Sequence, residues 1–319
     1  MDVIGIGALN VDLFYDVPSL DLAGARFEAG GETMDDGTLF ARVSEALSGM
    51  DLVARDGGGS AANTVVALSR MGYSTGFLGI IGKDEEGKFV LGSMGNVDTS
   101  RVKRYRRTGL CISLLHEGDR SLLVLPNAND LFSFAPDDIE YLNSSKIVHL
   151  SSFCSDSALR MQKQILELLD DDVYVSFAPG EKYARRGMKQ IGDIVERSRF
   201  LFVNEREVGQ LTGLPPAEGC KALVEAGARV VACTLGDRGS LIVTRNSELR
   251  VPAKKAVVLD TTGAGDVYAA GFLAGYLDGA TLEVCGEIAS AAAALSLSAY
   301  GRGGYPDERF LRKFARELL

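Results

Sequence analysis

The sequence predicts an α/β fold built on a central, mainly parallel sheet, and three observations carry that expectation. From residue 146 onward, short β-rich apolar runs alternate with helix-patterned stretches, the pattern of parallel strands with helices on both faces. The opening run over residues 3–8 carries no polar side chain, as expected of a strand buried on both sides. A chain of 319 residues, 46% hydrophobic and 24% charged, is large enough for one main core with an appendage.

The strand at 3–8 leads into Leu9-Asn10-Val11-Asp12. Gly5 and Gly7 open a dinucleotide fingerprint, but Asn10 stands where its third glycine is required, so that fold is not indicated. Over 13–56 the character changes to a short alternating piece (13–17), polar turns and a helical pattern at 39–47, with no clean βαβ unit. Residues 57–63, Gly-Gly-Gly-Ser-Ala-Ala-Asn, precede a helix with apolar Val65, Val66, Leu68 and Met71; Gly72 ends it and a strand at 75–81 follows. Alternating strand patterns return over 102–124, with runs at 109–115 and from 121 flanking a Glu117-Gly118-Asp119 turn. These two excursions are expected to pair into a small sheet covering one edge of the core.

The core then resumes with strands at 147–150, 173–177, 200–203 and 230–234 and helices at 158–169 and 187–197. A hairpin (240–244 with 249–251), a strand at 256–259, the helix that follows Gly263 and two more at 282–300 and 306–319 close the chain. No repeat or linker divides it. The expected division is a core of residues 1–12, 56–101 and 125–319 and a β-rich lid of residues 13–55 and 102–124.

The net charge of −9 argues against nucleic acid as a main partner. Arg101, Lys103, Arg104, Arg106 and Arg107 are read as a solvated strand face rather than an anion patch. Cys111, Cys154, Cys220, Cys233 and Cys285 lie far apart and form no Cys-x-x-Cys, so most of them are read as small core residues of a reducing compartment. His116 and His149 are too few for a histidine-rich metal site. No signal-like segment opens the chain, and the alanine-rich run at 289–299 is too short to span a bilayer. A soluble, cytoplasmic protein without a membrane partner is expected.

Chemistry concentrates at Asp260-Thr261-Thr262-Gly263-Ala264-Gly265-Asp266. A strand–turn–helix corner of this kind aims backbone N–H groups at one point, at the positive end of a helix dipole. That suits a phosphate-like anion, with the Asp266 carboxylate beside it to take a proton. Alone, Gly-x-Gly-Asp would be an ordinary corner with a surface aspartate. The Gly57-Gly58-Gly59 run lets backbone approach a polyhydroxylated ligand closely, although a flexible loop and helix cap would look the same. Asn204-Glu205-Arg206-Glu207 follows a strand and reads also as a helix cap; Thr234-Leu235-Gly236-Asp237-Arg238-Gly239 alone reads as a hairpin turn. Gly79-Ile80-Ile81-Gly82-Lys83-Asp84 has neither the Walker spacing nor its hydroxyl.

Together, and in this order, these stretches resemble the signatures of the PfkB, or ribokinase-like, family of sugar and nucleoside kinases. The match at 260–273 is nearly residue for residue. The resemblance implies a ribokinase-like three-layer fold with a small lid that closes on the substrate. It also implies transfer of the γ-phosphoryl group of ATP to a hydroxyl of a sugar or sugar-like substrate. Under it Asp266 is the catalytic base, and the amides of Gly263, Ala264 and Gly265 hold the charge on the transferred group. Asn10, Asp12, Gly58, Gly59 and Asn63 match substrate-binding positions; a carboxylate such as Asp12 can accept from vicinal hydroxyls. Asn204, Thr234, Gly236 and Gly239 match nucleotide-binding positions, and Glu207 the one that places Mg²⁺ through water. Asp260 and Thr262 are compatible with the K⁺ that family members often use there.

The departures are specific. Ser60 stands where some members carry Lys, which favours an unphosphorylated substrate. His149-Leu150-Ser151-Ser152 lacks the Glu of many ribokinases, which counts against ribose, and Ala178-Pro179 replaces an Asp/Asn-Pro pair. The nearest alternative is a nucleoside (adenosine-like) kinase, with Phe14, Phe27, Phe40 and Phe132 available as an apolar wall. A non-catalytic ligand sensor is the remote one, because neither the base nor the glycines are lost. His149, Asn129 and Phe153 are read either as substrate-facing or as structural. A homodimer through the exposed edges of the lid sheet is also expected.

Overall fold

The first strand, β1 (Val3–Ile6), is buried along its whole length, and the fold is assembled around it. The computed structural model describes residues 1–35, 37–117 and 119–318. After β1 the chain leaves the core through β2 (Asn10–Asp16), the paired β3 (Asp21–Leu22) and β4 (Ala25–Arg26), β5 (Glu32–Met34), α1 (Thr38–Leu47) and β6 (Leu52–Gly58). It returns with α2 (Ser60–Arg70), β7 (Thr75–Ile81), α3 (Glu85–Ser93) and β8 (Asp98–Arg104), then departs through β9 (Gly109–His116) and β10 (Asp119–Leu125). Helices and strands then alternate through α4 (Pro136–Asn143), β11 (Ile147–Ser151), α5 (Asp156–Leu168), β12 (Tyr174–Ala178), α6 (Gly180–Arg186) and α7 (Met188–Arg197). Next come β13 (Ser198–Asn204), α8 (Glu205–Thr212), α9 (Pro216–Glu225), β14 (Val230–Thr234), β15 (Ser240–Val243) and β16 (Glu248–Val251). The chain closes with α10 (Ala264–Leu277), α11 (Leu282–Ser296) and α12 (Glu308–Leu318). Gly118 of the expected turn and Leu319 of the expected last helix lie outside the described residues.

Nine strands form one sheet in the order β16-β15-β14-β13-β12-β11-β1-β7-β8, parallel except at the β14–β15 and β15–β16 pairs. Its strands bury apolar side chains on both faces. One core unites Ile4, Ile6, Leu150 and Phe177 with α5, α7 and α9; the other unites Val3, Phe77 and Phe200 with α2, α10 and α11. Three layers result. The two excursions form a second sheet, β5-β10-β9-β2-β6, with Val43 and Leu47 of α1 packed on Ile112, Leu114 and Leu123. Asp12 of β2 lies opposite Asp56 of β6 and Cys111 of β9. Residues 102–104, inside the expected lid range, belong to β8 of the large sheet. Among the described residues no helix is long and apolar enough to cross a membrane.

Two elements differ from expectation. Residues 256–259 are not a strand but a coil, in which Val257, Val258 and Leu259 are 80%, 60% and 50% exposed. β16 is the edge of its sheet, and the coil's amides at Leu259 and Asp260 donate instead to the Leu297 carbonyl, at 2.8 and 3.2 Å. The helix expected over 282–300 stops at Ser296. Leu297 spends its carbonyl on that coil, and Gly301 takes a positive φ of 55° in a tight turn over Gly301–Gly304.

Candidate active site

α10 is apolar all round, and Val267 through Gly275 are buried between the large sheet and α11, so only its N-terminus is free to meet a ligand. Gly263 precedes it with φ 75°, a left-handed conformation that turns the chain into the helix. By position, the first amides of α10 have no intrahelical acceptor; that of Ala264 is directed to the Thr261 carbonyl at 3.4 Å. Asp260, 4% exposed, braces the corner from behind: Oδ1 accepts from the Thr262 amide at 2.8 Å and Oδ2 from the Gly301 amide at 3.1 Å. The Thr262 hydroxyl is buried without a hydrogen-bond partner.

Asp266, in the first turn of α10, is gripped from α2. Its Oδ1 accepts from Ser60 Oγ at 2.7 Å and its Oδ2 from Asn63 Nδ2 at 2.9 Å. Thr64 Oγ1 ties the two helices further by donating to the Asp266 carbonyl at 3.2 Å. Burial pushes the Asp266 carboxyl up to about 6, against the lowering effect of those two donors and of the Arg120 and Arg302 charges. Each carboxylate oxygen keeps a second lone pair for a further donor.

On the acceptor side the glycines are shaped by protein groups rather than by open space. A Cβ on Gly58 would stand 2.1–2.2 Å from the Asp12 carboxyl group, so the bare backbone there is what lets Asp12 lie against the loop. Gly59 has φ 110° and faces the Ala8 carbonyl oxygen, 2.0 Å from where a Cβ would be. Burial pushes Asp12 up to about 7; Arg302 opposes this and Asp56 adds to it. Asn10, 8% exposed, accepts through Oδ1 from Asn129 Nδ2 at 2.9 Å. Asn129 also bridges the Leu9 amide and carbonyl, which makes it a brace for the β1–β2 corner.

On the far side of α10's head a cavity of about 570 Å³ is lined by Thr234, Gly236, Gly239, Ala264, Gly265 and Tyr268, among others. A smaller one of about 100 Å³ brings together Ser60, Asn204, Glu207, Thr234, Gly265 and Asp266. Asn204 and Glu207 form a reciprocal cap at the start of α8: Asn204 Oδ1 accepts from the Glu207 amide at 2.9 Å and Glu207 Oε2 from the Asn204 amide at 3.0 Å. Burial pushes Glu207 up to about 7, and the Asp266 charge adds to it. Two carboxyl groups that repel each other across a small cavity suit a cation. Among the described residues no cluster of three or more His, Cys, Asp or Glu could hold a metal alone, so waters and phosphates would have to complete the coordination of a Mg²⁺.

Several residues of this site carried no readable signal. Arg302, 2% exposed, bonds Asn63 Oδ1 through Nε at 3.1 Å, and Tyr305 Oη crowds Gly263. Only an arginine set within a glycine run marked the place, and arginine is rarely fully buried unless paired. Of the aromatic candidates, Phe27 and Phe132 are spent in cores, Phe40 packs under the second sheet, and Phe14 is buried 6.1 Å from Tyr300. Phe153 stacks on Phe132 in the core. His149 is wholly buried, pushed down to about 3 by burial, with Nδ1 on Ser176 Oγ at 2.8 Å; it is structural.

Comparison with known proteins agrees with this geometry. The profile of the pfkB family carbohydrate kinases matches residues 31–308. A sugar kinase of Archaeoglobus fulgidus, described as uncharacterized, is 34% identical over 249 residues, spanning 76% of this chain and 98% of the relative. A nucleoside kinase of Methanocaldococcus jannaschii is 30% identical over 253 residues, spanning 76% of this chain and 80% of the relative. In structure, the ribokinase of Arabidopsis thaliana complexed with ribose and ATP superposes with a TM-score of 0.79 at 23% identity, covering 98% of each chain.

Proposed function

The chain belongs to the pfkB family of carbohydrate kinases, phosphotransferases with hydroxyl acceptors, and from that premise we propose that it phosphorylates a sugar or sugar-like molecule with ATP, using Asp266 as general base. One observation carries this reading. Asp266 stands at the head of α10, bonded to Ser60 and Asn63 of the acceptor-side helix, and it lines the cavity that also holds Asn204, Glu207 and Thr234. Donor and acceptor sides therefore meet at one carboxylate.

In the proposed reaction, Asp12, Asn10, Gly58, Gly59 and Asn63 bind the acceptor, and a hydroxyl of that molecule donates to a free lone pair of Asp266. The carboxylate takes the proton as the oxygen attacks the γ-phosphorus and the bond to ADP breaks, a contribution of about 10²–10⁴ in rate. The amides at Gly263, Ala264 and Gly265 hold the charge on the equatorial oxygens. Thr234, Gly236 and Gly239 line the donor cavity and bind the nucleotide, with Asn204 beside the phosphates. Glu207 would hold Mg²⁺ through water, and the ion would supply positive charge to neutralise the phosphates. Asp260 and the unpartnered Thr262 hydroxyl suit K⁺. Residues 13–55 and 105–124, outside the large sheet, act as the lid that excludes water. The edge strand β6 exposes Leu52 and Val53 and supports a homodimer. Five free cysteines, four of them buried, suit a cytoplasmic setting.

A nucleoside acceptor is the second reading, favoured by the Methanocaldococcus relative and by Phe14, two residues beyond Asp12 on β2 and paired with Tyr300. ADP release with ATP and Mg²⁺, measured against ribose, fructose, adenosine and cytidine in turn, separates the two. Turnover on nucleosides alone overturns the sugar assignment, and turnover on none favours a ligand sensor.

A further inference from the structure

A relay of three side chains runs to the Asp266 carboxylate from the turn after α11. Asp266 Oδ2 accepts from Asn63 Nδ2 at 2.9 Å, and Asn63 Oδ1 accepts from Arg302 Nε at 3.1 Å. Arg302 is 2% exposed. Its Nη1 donates to Ser93 Oγ at 3.0 Å, its backbone N–H donates to Asp56 Oδ2 at 2.7 Å, and its carbonyl accepts from Arg70 Nη1. The two ends of an asparagine amide are alike in shape and opposite in role, one accepting and one donating. A guanidinium only donates. Beside Arg302, Asn63 must therefore turn its oxygen to the arginine, and its NH₂ is left facing Asp266. The reverse orientation would set NH₂ against N–H and oxygen against carboxylate.

Simple packing does not account for this arginine. Burying a guanidinium removes it from water at a cost that an aliphatic side chain would avoid, and its Nη2 has no hydrogen-bond partner at all. We propose that Arg302 is a positioning residue for phosphoryl transfer, which acts through Asn63 to hold the Asp266 carboxylate in its working orientation. Without the relay, Ser60 alone grips Asp266, through Oδ1, and the carboxylate is free to rotate about that single bond. The proposal rests on the reading of Asp266 as the base.

The test is steady-state kinetics on Arg302→Met, Asn63→Leu and the double variant, with ATP, Mg²⁺ and the best acceptor among ribose, fructose, adenosine and cytidine. Each single variant should lower kcat about ten- to a hundredfold, the range expected of a misplaced catalytic group, and leave KM for ATP unchanged. The double variant should be no worse than the poorer single one. Wild-type kcat in folded Arg302→Met overturns the proposal, as do losses that multiply in the double variant. If Arg302→Met is too unstable to assay, Arg302→Gln replaces a group that only donates with an amide that can donate or accept and so no longer dictates how Asn63 is turned; it should also lose kcat, and wild-type turnover in it overturns the proposal equally. Asp266→Asn separates the two layers. Full turnover in that variant removes the base itself, whereas an inactive Asp266→Asn beside a normal Arg302→Met removes only the relay.

Discussion

Ser60 Oγ donates to Asp266 Oδ1 at 2.7 Å across a sequence separation of 206 residues, so the first residue of α2 and the first turn of α10 share one carboxylate. The two helices are packed side by side under the large sheet, which holds this contact rigid. Any group that docks on Asp266 does so between a glycine-rich strand end and a helix dipole.

Replacement of that carboxylate is the most direct consequence to measure. Asp266→Asn keeps the size of the side chain and one of its two accepting ends but removes its basicity. Turnover should fall by at least about 10²–10⁴, while calorimetric titration with ATP and Mg²⁺ gives nearly the wild-type affinity. Retention of most of the turnover would remove Asp266 as the base.

The pH dependence of kcat/KM follows from the same contacts. Asp266, pushed up to about 6 mainly by burial in the ligand-free protein, is an effective base only when ionised, so kcat/KM for the acceptor should fall as pH is lowered through about 6. The Ser60 bond stabilises the charged form. Ser60→Ala should therefore move this acidic limb upward, and a limb that stays put or moves down shows that another group controls it.

Much of this was legible in the chain because both signals involved are local. The run from Asp260 to Asp266 and the Gly57–Asn63 loop are contiguous, and the strands of the parallel sheet are short apolar runs that tertiary packing has no reason to override. What could not be read depends on partners distant in sequence. Val257, Val258 and Leu259 have strand-like side chains, yet they do not extend the sheet beyond its edge strand β16, and the Leu259 amide is taken by the distant Leu297 carbonyl. The helices α3, α4 and α6, nine residues or fewer each, give too few turns for a periodic stripe to stand out. Arg302 is invisible in sequence for another reason: its role is set by Asn63, Asp56 and Ser93, all more than 200 residues away.

Gly58 and Gly59 are adjacent but should fail differently. A methyl group on Gly58 meets the Asp12 carboxyl group first, a side chain that can swing away, so Gly58→Ala should fold and show a raised KM for the acceptor. One on Gly59 meets the Ala8 backbone carbonyl from a φ of 110°. That strain should cost about 1–3 kcal/mol and appear in thermal unfolding before it appears in KM. Equal stability losses for the two variants would contradict this division.

Thr262 bears on a monovalent cation. Its hydroxyl is buried and unpartnered, so Thr262→Val should cost no stability in buffers free of K⁺. If a cation sits between this hydroxyl and Asp260, K⁺ should stimulate wild-type turnover over tetramethylammonium and leave the variant unmoved. Equal stimulation of both proteins excludes Thr262 as a ligand.

Asp12 should set function against stability. Burial holds its folded-state pKa up at about 7, against an ordinary 3.8. A carboxyl group raised in this way contributes stability below its unfolded pKa and loses that contribution as pH rises through the folded value. At pH 8 the ligand-free enzyme thus carries a charge that its surroundings disfavour, whereas at pH 4 the group is neutral in the folded state. Asp12→Asn should therefore raise the unfolding temperature at pH 8 by a few degrees and change it little at pH 4. The same variant loses an anionic acceptor for two hydroxyls, a loss of about 1.5–3 kcal/mol for a charged hydrogen bond, so KM for the acceptor should rise roughly ten- to a hundredfold. The opposing effect is the attraction of Arg302 and Arg120 for the Asp12 charge. If Asp12→Asn is instead less stable at pH 8, that attraction outweighs burial, and Asp12 is part of the scaffold around Arg302 rather than a strained group held ready for a substrate.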